Sequence, residues 1–409
     1  MTQSTIVPVD NLWILVATAL VFVMGFTGLA VFYGGLTRTR SMLNTIFMVM
    51  GSFALAGILW IAYGYSLAFE GDIGGIIGTL KQVFLMGYSP SSPSDVANNL
   101  YAYLFAFYQM TFAAITVGLI AGAWIERIKF SAWMLFGALW LTFVYVPVAH
   151  WIWGGGFLSK LGVHDFAGGL VVHATSGITA LVGAYVLGKR KEAILQPASL
   201  PLVAVGTGLL AFGWFGFNGG SALALNAQAV NAAFVSVIAA FVAALVWAAL
   251  EWIKFGKPTT LGFMTGIIAG FATITPAAGF VDILGGFLIG ILAGIICFLA
   301  VVWAKAKFGY DDALDVFGVH GVGGITGTLA IALFASKAVG DANGLFYGGV
   351  SLIVPQIVGT VVVIVYTAVV SWILLKVVGA IFGGLRVPEE VEIEGLDKNL
   401  HGEKAYADR

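Results

Sequence analysis

Residues 193–250 form a run of 58 with no Asp, Glu, Lys or Arg. About a quarter of the residues of a soluble domain are charged, whereas one crossing of a lipid bilayer needs only about 20 apolar residues. A run of this length therefore reads as two membrane spans joined by a hairpin, with the turn signal at Gly219–Asn226. The same test finds nine single spans: 11–37, 41–69, 96–125, 130–159, 166–188, 258–281, 283–304, 316–336 and 342–375. The total is eleven. Residues 73–94 are partly apolar, but Lys81 and the SPSSPS run at 89–94 make them a loop.

Composition agrees: 60% of the residues are hydrophobic and only 10% are charged. Those figures exclude a soluble enzyme, a nucleic-acid binder and a disordered chain. The sequence predicts an all-α integral membrane protein of eleven transmembrane helices, with a membrane domain at 1–384 and a charged tail at 385–409. The net charge of −1 attracts no acidic or basic partner. Cys297, the single cysteine, sits in an apolar run and reads as a packing residue. The N-terminal MTQSTIVPVD has no basic region, so it does not read as a cleaved signal.

With eleven spans the loops alternate sides, and the 19 lysines and arginines divide 16 to 3. Arg38, Arg40, Arg127, Lys189, Arg190, Lys305 and the tail fall on the rich side; Lys81, Lys160 and Lys337 fall on the other. The positive-inside rule then places the N-terminus outside and the tail in the cytoplasm.

Five histidines are present. His401 in the tail and His164 in an outer loop read as solvated, and His150 as an interfacial structural residue. His173 and His320 lie within spans, where an ionisable side chain is costly and marks a pathway. They also occupy related places, the fifth and tenth spans. Two halves of five spans each are inverted relative to one another, and such repeats put the substrate site near the midplane. Each histidine follows an aspartate, Asp165 or Asp315, and Phe32–Leu36 at the end of the first span resembles Phe217–Ser221 at the end of the sixth. At ~1.5 Å per residue, His173 lies roughly 12 Å below Asp165 and His320 roughly 7 Å above Asp315, close enough to meet. No Cys or Glu cluster accompanies them to complete a metal site, so no cofactor or metal is expected. Neither acidic rings nor a carbonyl filter is present. Two neutral imidazoles suit a small polar neutral molecule, or a cation that gives up its proton on entry.

Phe112, Trp153 and Phe217 fall toward the outer ends of their spans, where aromatic belts are common. With Ser221 they can form a cup holding a small cation over ring faces, worth ~1–2 kcal/mol. Selectivity against potassium must then come from a narrow apolar stretch that a charge cannot cross cheaply.

At DFAGGLVVH (165–173), GWFGFNGGS (213–221), DDALDVFGVHGVGG (311–324), ITVGLIAGAWIER (115–127) and the tail segment 384–406, the sequence resembles the ammonium transporter/methylammonium permease/Rhesus family, on its ammonium transporter side. The resemblance implies an eleven-helix protomer in a homotrimer, one pore per subunit, carrying ammonium in a plasma or inner cell membrane. It implies that His173 and His320 are twin pore histidines and that Phe112 and Phe217 are the stacked gate. It further implies that Trp153, Phe112, Ser221 and Tyr108 form the external recruitment site, Tyr108 standing where many members have Phe. Asp165 matches a supporting acidic residue and also reads as a helix cap. Asp312 and Asp315 read as caps or vestibule residues. A cytoplasmic PII signalling protein is a partner of the family's tail. Three readings remain open: a transporter, an ammonium sensor relaying through the tail, and a Rhesus-like neutral gas channel. An intramembrane enzyme lacks any nucleophile–base pair here.

Overall fold

The computed structural model describes residues 6–192 and 197–406. Part of the N-terminal reading, the start of the 193–250 run and Arg409 lie outside the described residues. Regular structure among the described residues is helical, with isolated backbone bridges and no strand. Ten helices are long and apolar enough to cross a membrane: α1 (Pro8–Leu36), α2 (Thr39–Phe69), α3 (Ala102–Trp124), α4 (Phe130–Leu161), α5 (Gly169–Leu187), α6 (Leu200–Gly219), α7 (Ala227–Phe255), α9 (Ile283–Phe308), α10 (Phe317–Phe334) and α11 (Ile353–Ile381). Between them lies a shorter apolar helix, α8 (Thr260–Ile274).

Local chemistry sets several of these bounds. Side-chain oxygens of Ser199, Asn226, Thr259 and Asp282 accept the backbone N–H three residues on and so start α6, α7, α8 and α9. The hairpin expected at Gly219–Asn226 falls between the end of α6 and the cap of α7. Several bounds differ from the uncharged runs, those of α8 and α11 among them. α8 stops at Ile274: Thr275 still has helical geometry and donates to the Phe271 carbonyl, but Pro276 has no N–H to continue the ladder. α11 starts eleven residues later than expected and continues past Lys376, whose exposed ammonium lies over the Trp372 ring 5.6 Å away.

α3 is the axis of the molecule, the most deeply buried of the ten long helices, whereas α11 is the most exposed. α1 and α6 cross reciprocally. A Cβ on Gly35 near the end of α1 would meet Val203 and Ser199 of α6, and one on Gly216 near the end of α6 would meet Ala17 of α1.

The basic loops gather on one face, tied by ion pairs between Arg38 and Glu126 (2.8 Å), Arg190 and Asp311 (2.8 Å), and Arg386 and Glu392 (2.5 Å). The tail folds back onto this face through a short helix, α12 (Glu389–Glu394). Asp397 accepts from the backbone N–H groups of Leu43 (3.0 Å) and Asn44 (2.7 Å). His401, expected to be solvated, instead has Nε2 2.9 Å from Asn44 Nδ2 and packs against Phe47 and Phe130. His164 likewise has partners, with Nε2 2.9 Å from Asp341 and its backbone N–H donating to Gln356 Oε1. Both residues are short-range polar anchors, which an outline of spans and loops does not reveal. His150 is buried between the Ala68 carbonyl and Asp72.

Candidate functional site

His173 and His320 are brought together by glycine. α5 and α10 cross so closely that a Cβ on Gly177 would collide with the backbone of Gly321, and one on Gly324 would sit 2.8 Å from the His173 Cβ. The glycine clusters beside the histidines thus provide backbone contact between the two helices. Both residues also sit on wide π turns, Gly169–Ala174 and Phe317–Gly321, a distortion that re-aims a side chain within a helix and recurs at functional sites. The two Nδ1 atoms lie 3.2 Å apart, with the rings stacked at 5.1 Å and 23°. One Nδ1 must carry the hydrogen and the other accept it. His173 Nε2 is buried without a protein partner.

The aspartate that corresponds to Asp165 is Asp312, not Asp315. Asp165 precedes His173 by eight residues and Asp312 precedes His320 by eight. The Asp165 carboxylate accepts from the backbone N–H groups of Gly168, Gly169, Leu170 and Val171 (2.6–3.1 Å). Asp312 accepts from Val316 (3.1 Å) and Phe317 (2.7 Å). Asp315 instead occupies the position of Gly168, and both have left-handed backbone, φ 60° and 113°.

Toward the mouth, Phe112 and Phe217 are stacked with centroids 4.2 Å apart and 26° between planes. Phe217 rests on a third π turn, Phe215–Gly219. Beyond Phe112 opens a cavity of about 250 Å³ lined by Phe112, Trp153, Ser221, Gln109, Phe105 and Phe69 among others. Behind Phe217 is a space of about 10 Å³, walled by Phe217, Trp214 and the two imidazoles, near the least that admits one water-sized molecule. Past His320, a cavity of about 70 Å³ is lined by Asp315 and Tyr33. The stacked phenylalanines form the partition, one ring on each chamber.

Two hydroxyls and an indole set the mouth. Ser221 Oγ–H donates to the Phe217 carbonyl (2.7 Å), so the oxygen is left as an acceptor. Trp153 Nε1–H donates to the Asp165 carbonyl (2.8 Å), so the residue that caps α5 also holds the indole. Tyr108 differs from the expected arrangement. It packs edge-on behind Phe112, fully buried, and its hydroxyl donates to the Gly216 carbonyl (2.8 Å). It braces α6 from behind instead of facing the cavity.

Trp214 and Gln109 were not singled out in the sequence. Trp214 stands 6.1 Å from the His173 ring and stacks on Phe271 at 4.9 Å; it belongs to the GWFGFNGGS segment, where its place beside Phe217 was the available signal. Gln109, buried next to Tyr108, had none. Among the described residues no group of three or more His, Cys, Asp or Glu is placed to hold a metal.

The family model described as Ammonium Transporter Family matches residues 12–406. The ammonium transporter of Aquifex aeolicus is 50% identical over 397 residues, covering 97% of this chain and 93% of its own length. That of Bacillus subtilis is 46% identical over 402 residues, with 98% of each chain covered. Among solved structures, Saccharomyces cerevisiae Mep2 superposes with a TM-score of 0.87 at 36% identity, over 95% of this chain and 92% of that one. A structure titled Sensor Amt Protein gives 0.87 at 26% identity, covering 96% and 98%.

Proposed function

Because the chain belongs to the ammonium transporter family, we propose that it recruits ammonium at the aromatic mouth, strips one proton there and passes ammonia along the paired imidazoles of His173 and His320. The observation that carries this reading is the 3.2 Å contact between the two Nδ1 atoms directly behind the stacked Phe112–Phe217 pair. In the mouth, the ring faces of Phe112 and Trp153 attract a cation by ~1–2 kcal/mol, and the Ser221 lone pair accepts one N–H. Phe217 then closes a space of about 10 Å³ where an unpaired charge would cost several kcal/mol. Ammonium escapes that cost by losing a proton and potassium has none to lose. The imidazole pair offers the neutral molecule one acceptor and one donor at a time. The proton stays outside or follows along the histidines.

The reading includes eleven spans in two inverted halves of five plus a last helix, the N-terminus outside and the tail inside. It includes a multi-pass protein of the plasma or inner membrane, assembled as a homotrimer, with residues 385–409 as a tail open to a PII-type partner. The repeated Asp-to-His spacing and left-handed residue in α5 and α10 support the inverted halves.

Purified protein in planar bilayers tests the mechanism. Ammonium should drive flux that potassium does not, and flux without an accompanying current refutes proton transfer along the histidines. His173→Leu and His320→Leu should each lower flux or selectivity at least tenfold. Unchanged transport in both removes the imidazoles from the mechanism. The solved sensor fold at 26% identity keeps a sensing role as a second reading; a transport-dead variant that still alters a tail-dependent response favours it.

A further inference from the structure

Where the last long helix meets the tail, a groove of about 410 Å³ opens between α5 and α11. Its walls are Val186, Leu187, Leu375 and Leu385, and two cations, Lys376 and Arg386, are part of its lining. Among the described residues no acidic one lines it. Nothing described above uses this groove; it is remote from the conduit and lies at the apolar ends of two membrane helices. Lys376 and Trp372, one helical turn apart and both exposed, are the pair of residue types that anchors a helix at the bilayer–water boundary. Arg386 is fixed in place: Nη1 donates to the carbonyls of Leu187 (2.9 Å) and Lys189 (2.7 Å), and Nη2 donates to Glu392 (2.5 Å).

We propose that this groove binds the headgroup of an anionic glycerophospholipid, with the phosphate between Lys376 and Arg386 and an acyl chain along Val186, Leu187 and Leu375. Charge complementarity favours this occupant over an uncharged one, carried chiefly by Lys376 because Arg386 already pairs with Glu392. Basic pockets between membrane helices on the tail-bearing side take anionic headgroups, and the walls are apolar enough for a hydrocarbon chain. The lining also includes Gly379 and Gly384. Gly384 has φ 110°, and a Cβ there would meet nothing within 4 Å, so the chain leaves α11 through an open, left-handed link beside the site. Arg386 touches the groove and Glu392 of α12 at once, so a bound phosphate would neighbour the first anchor of the tail.

Native mass spectrometry of the full-length protein tests this, with detergent-solubilised samples titrated with phosphatidylglycerol or phosphatidylcholine of matched chains. The wild type should retain phosphatidylglycerol at least fivefold more tightly. Lys376→Gln should lower that preference about fivefold, the effect of one basic residue at roughly 1 kcal/mol. Gly379→Leu, which fills the groove on the exposed side of α11 and leaves both charges intact, should lower retention of phosphatidylglycerol by a similar factor. Glycerol 3-phosphate alone should not compete, because it lacks the chains. Equal retention of the two lipids, or full preference surviving both substitutions, overturns the proposal. Competition by glycerol 3-phosphate shows a free-phosphate site and overturns the lipid assignment. Transport is not read in any arm, so failure here leaves the proposed function untouched.

Discussion

α5 and α10 enter the molecule from opposite ends on one local plan. Each has an aspartate cap, a left-handed residue three positions on, a π turn bearing the histidine, and a glycine four residues after it. They differ at the entrance. At the mouth the left-handed residue is Gly168, the cap takes four amides, and the surrounding groups are rings and neutral oxygens. At the tail end the left-handed residue is Asp315, paired with Lys305 at 2.6 Å, and the Asp312 cap takes two amides. Burial pushes the Asp312 carboxyl up to about 6, against the pull of Lys305. The shared plan fixes where the imidazoles meet. The different entrances leave an aromatic cavity without charged lining at one end and a cavity lined by Asp315 at the other.

The crossing of the two helices is the feature both entrances depend on, so it carries the largest expected effect. Gly177→Leu puts a side chain into the backbone of Gly321 and should cost more than about 4 kcal/mol, the range of gross overpacking or backbone displacement. The check is folded yield and melting temperature in detergent; a variant that melts like wild type would mean the helices cross elsewhere. Next come the caps. Asp165→Asn leaves one acceptor oxygen for four buried amides, and each orphaned N–H costs about 1–3 kcal/mol, so a loss of about 3 kcal/mol is expected. Asp312→Asn should lose about 1 kcal/mol, since only two amides depend on it and burial of its charge is relieved. Equal losses in thermal melts would erase the distinction drawn between the entrances.

Much of this was legible in the sequence. Uncharged length marked the helices, because lipid admits no unsatisfied backbone, and the two intramembrane histidines were conspicuous for their cost. The start of α11 was misplaced because residues 342–352, though uncharged, contain Gly344, Gly348 and Gly349, which turn the chain. Its end was misplaced because an interfacial lysine does not stop a helix. The pairing of Asp315 with His320 followed proximity in sequence. The true counterpart, Asp312, was readable from its equal spacing of eight residues. The π turns and the inward hydroxyl of Tyr108 were not readable, since hydropathy does not record which carbonyl a side chain finds.

Charge on the tail face supplies a contrast in pH response. Asp311 is held down to about 2: burial alone would raise it, but the Arg190 guanidinium, bonded to both its oxygens, prevails. A carboxylate depressed in the folded state adds stability above its unfolded value near 3.8 and loses it as pH falls through about 2. About 2 kcal/mol should therefore vanish between roughly pH 4 and pH 2. Arg190→Gln should flatten that part of the acid melting curve; a curve of unchanged slope would show that the pair contributes nothing.

The smallest effect expected is at Asp315. Replacing it by glycine would give the α10 entrance the residue type that α5 has at Gly168. Relief of a left-handed non-glycine conformation is worth about 1 kcal/mol, while the added freedom of the unfolded chain costs about 0.5–1 kcal/mol. The pair with Lys305, about a quarter exposed, is worth roughly 1 kcal/mol. These nearly cancel, so Asp315→Gly should melt within about 1 kcal/mol of wild type. Lys305 would then stand unpaired at the cavity past His320, and inward flux should fall at low salt and recover near 0.5 M salt, where screening shortens to a few ångströms. A loss above about 2 kcal/mol would show that the Lys305–Asp315 pair, and not the left-handed turn, shapes the exit.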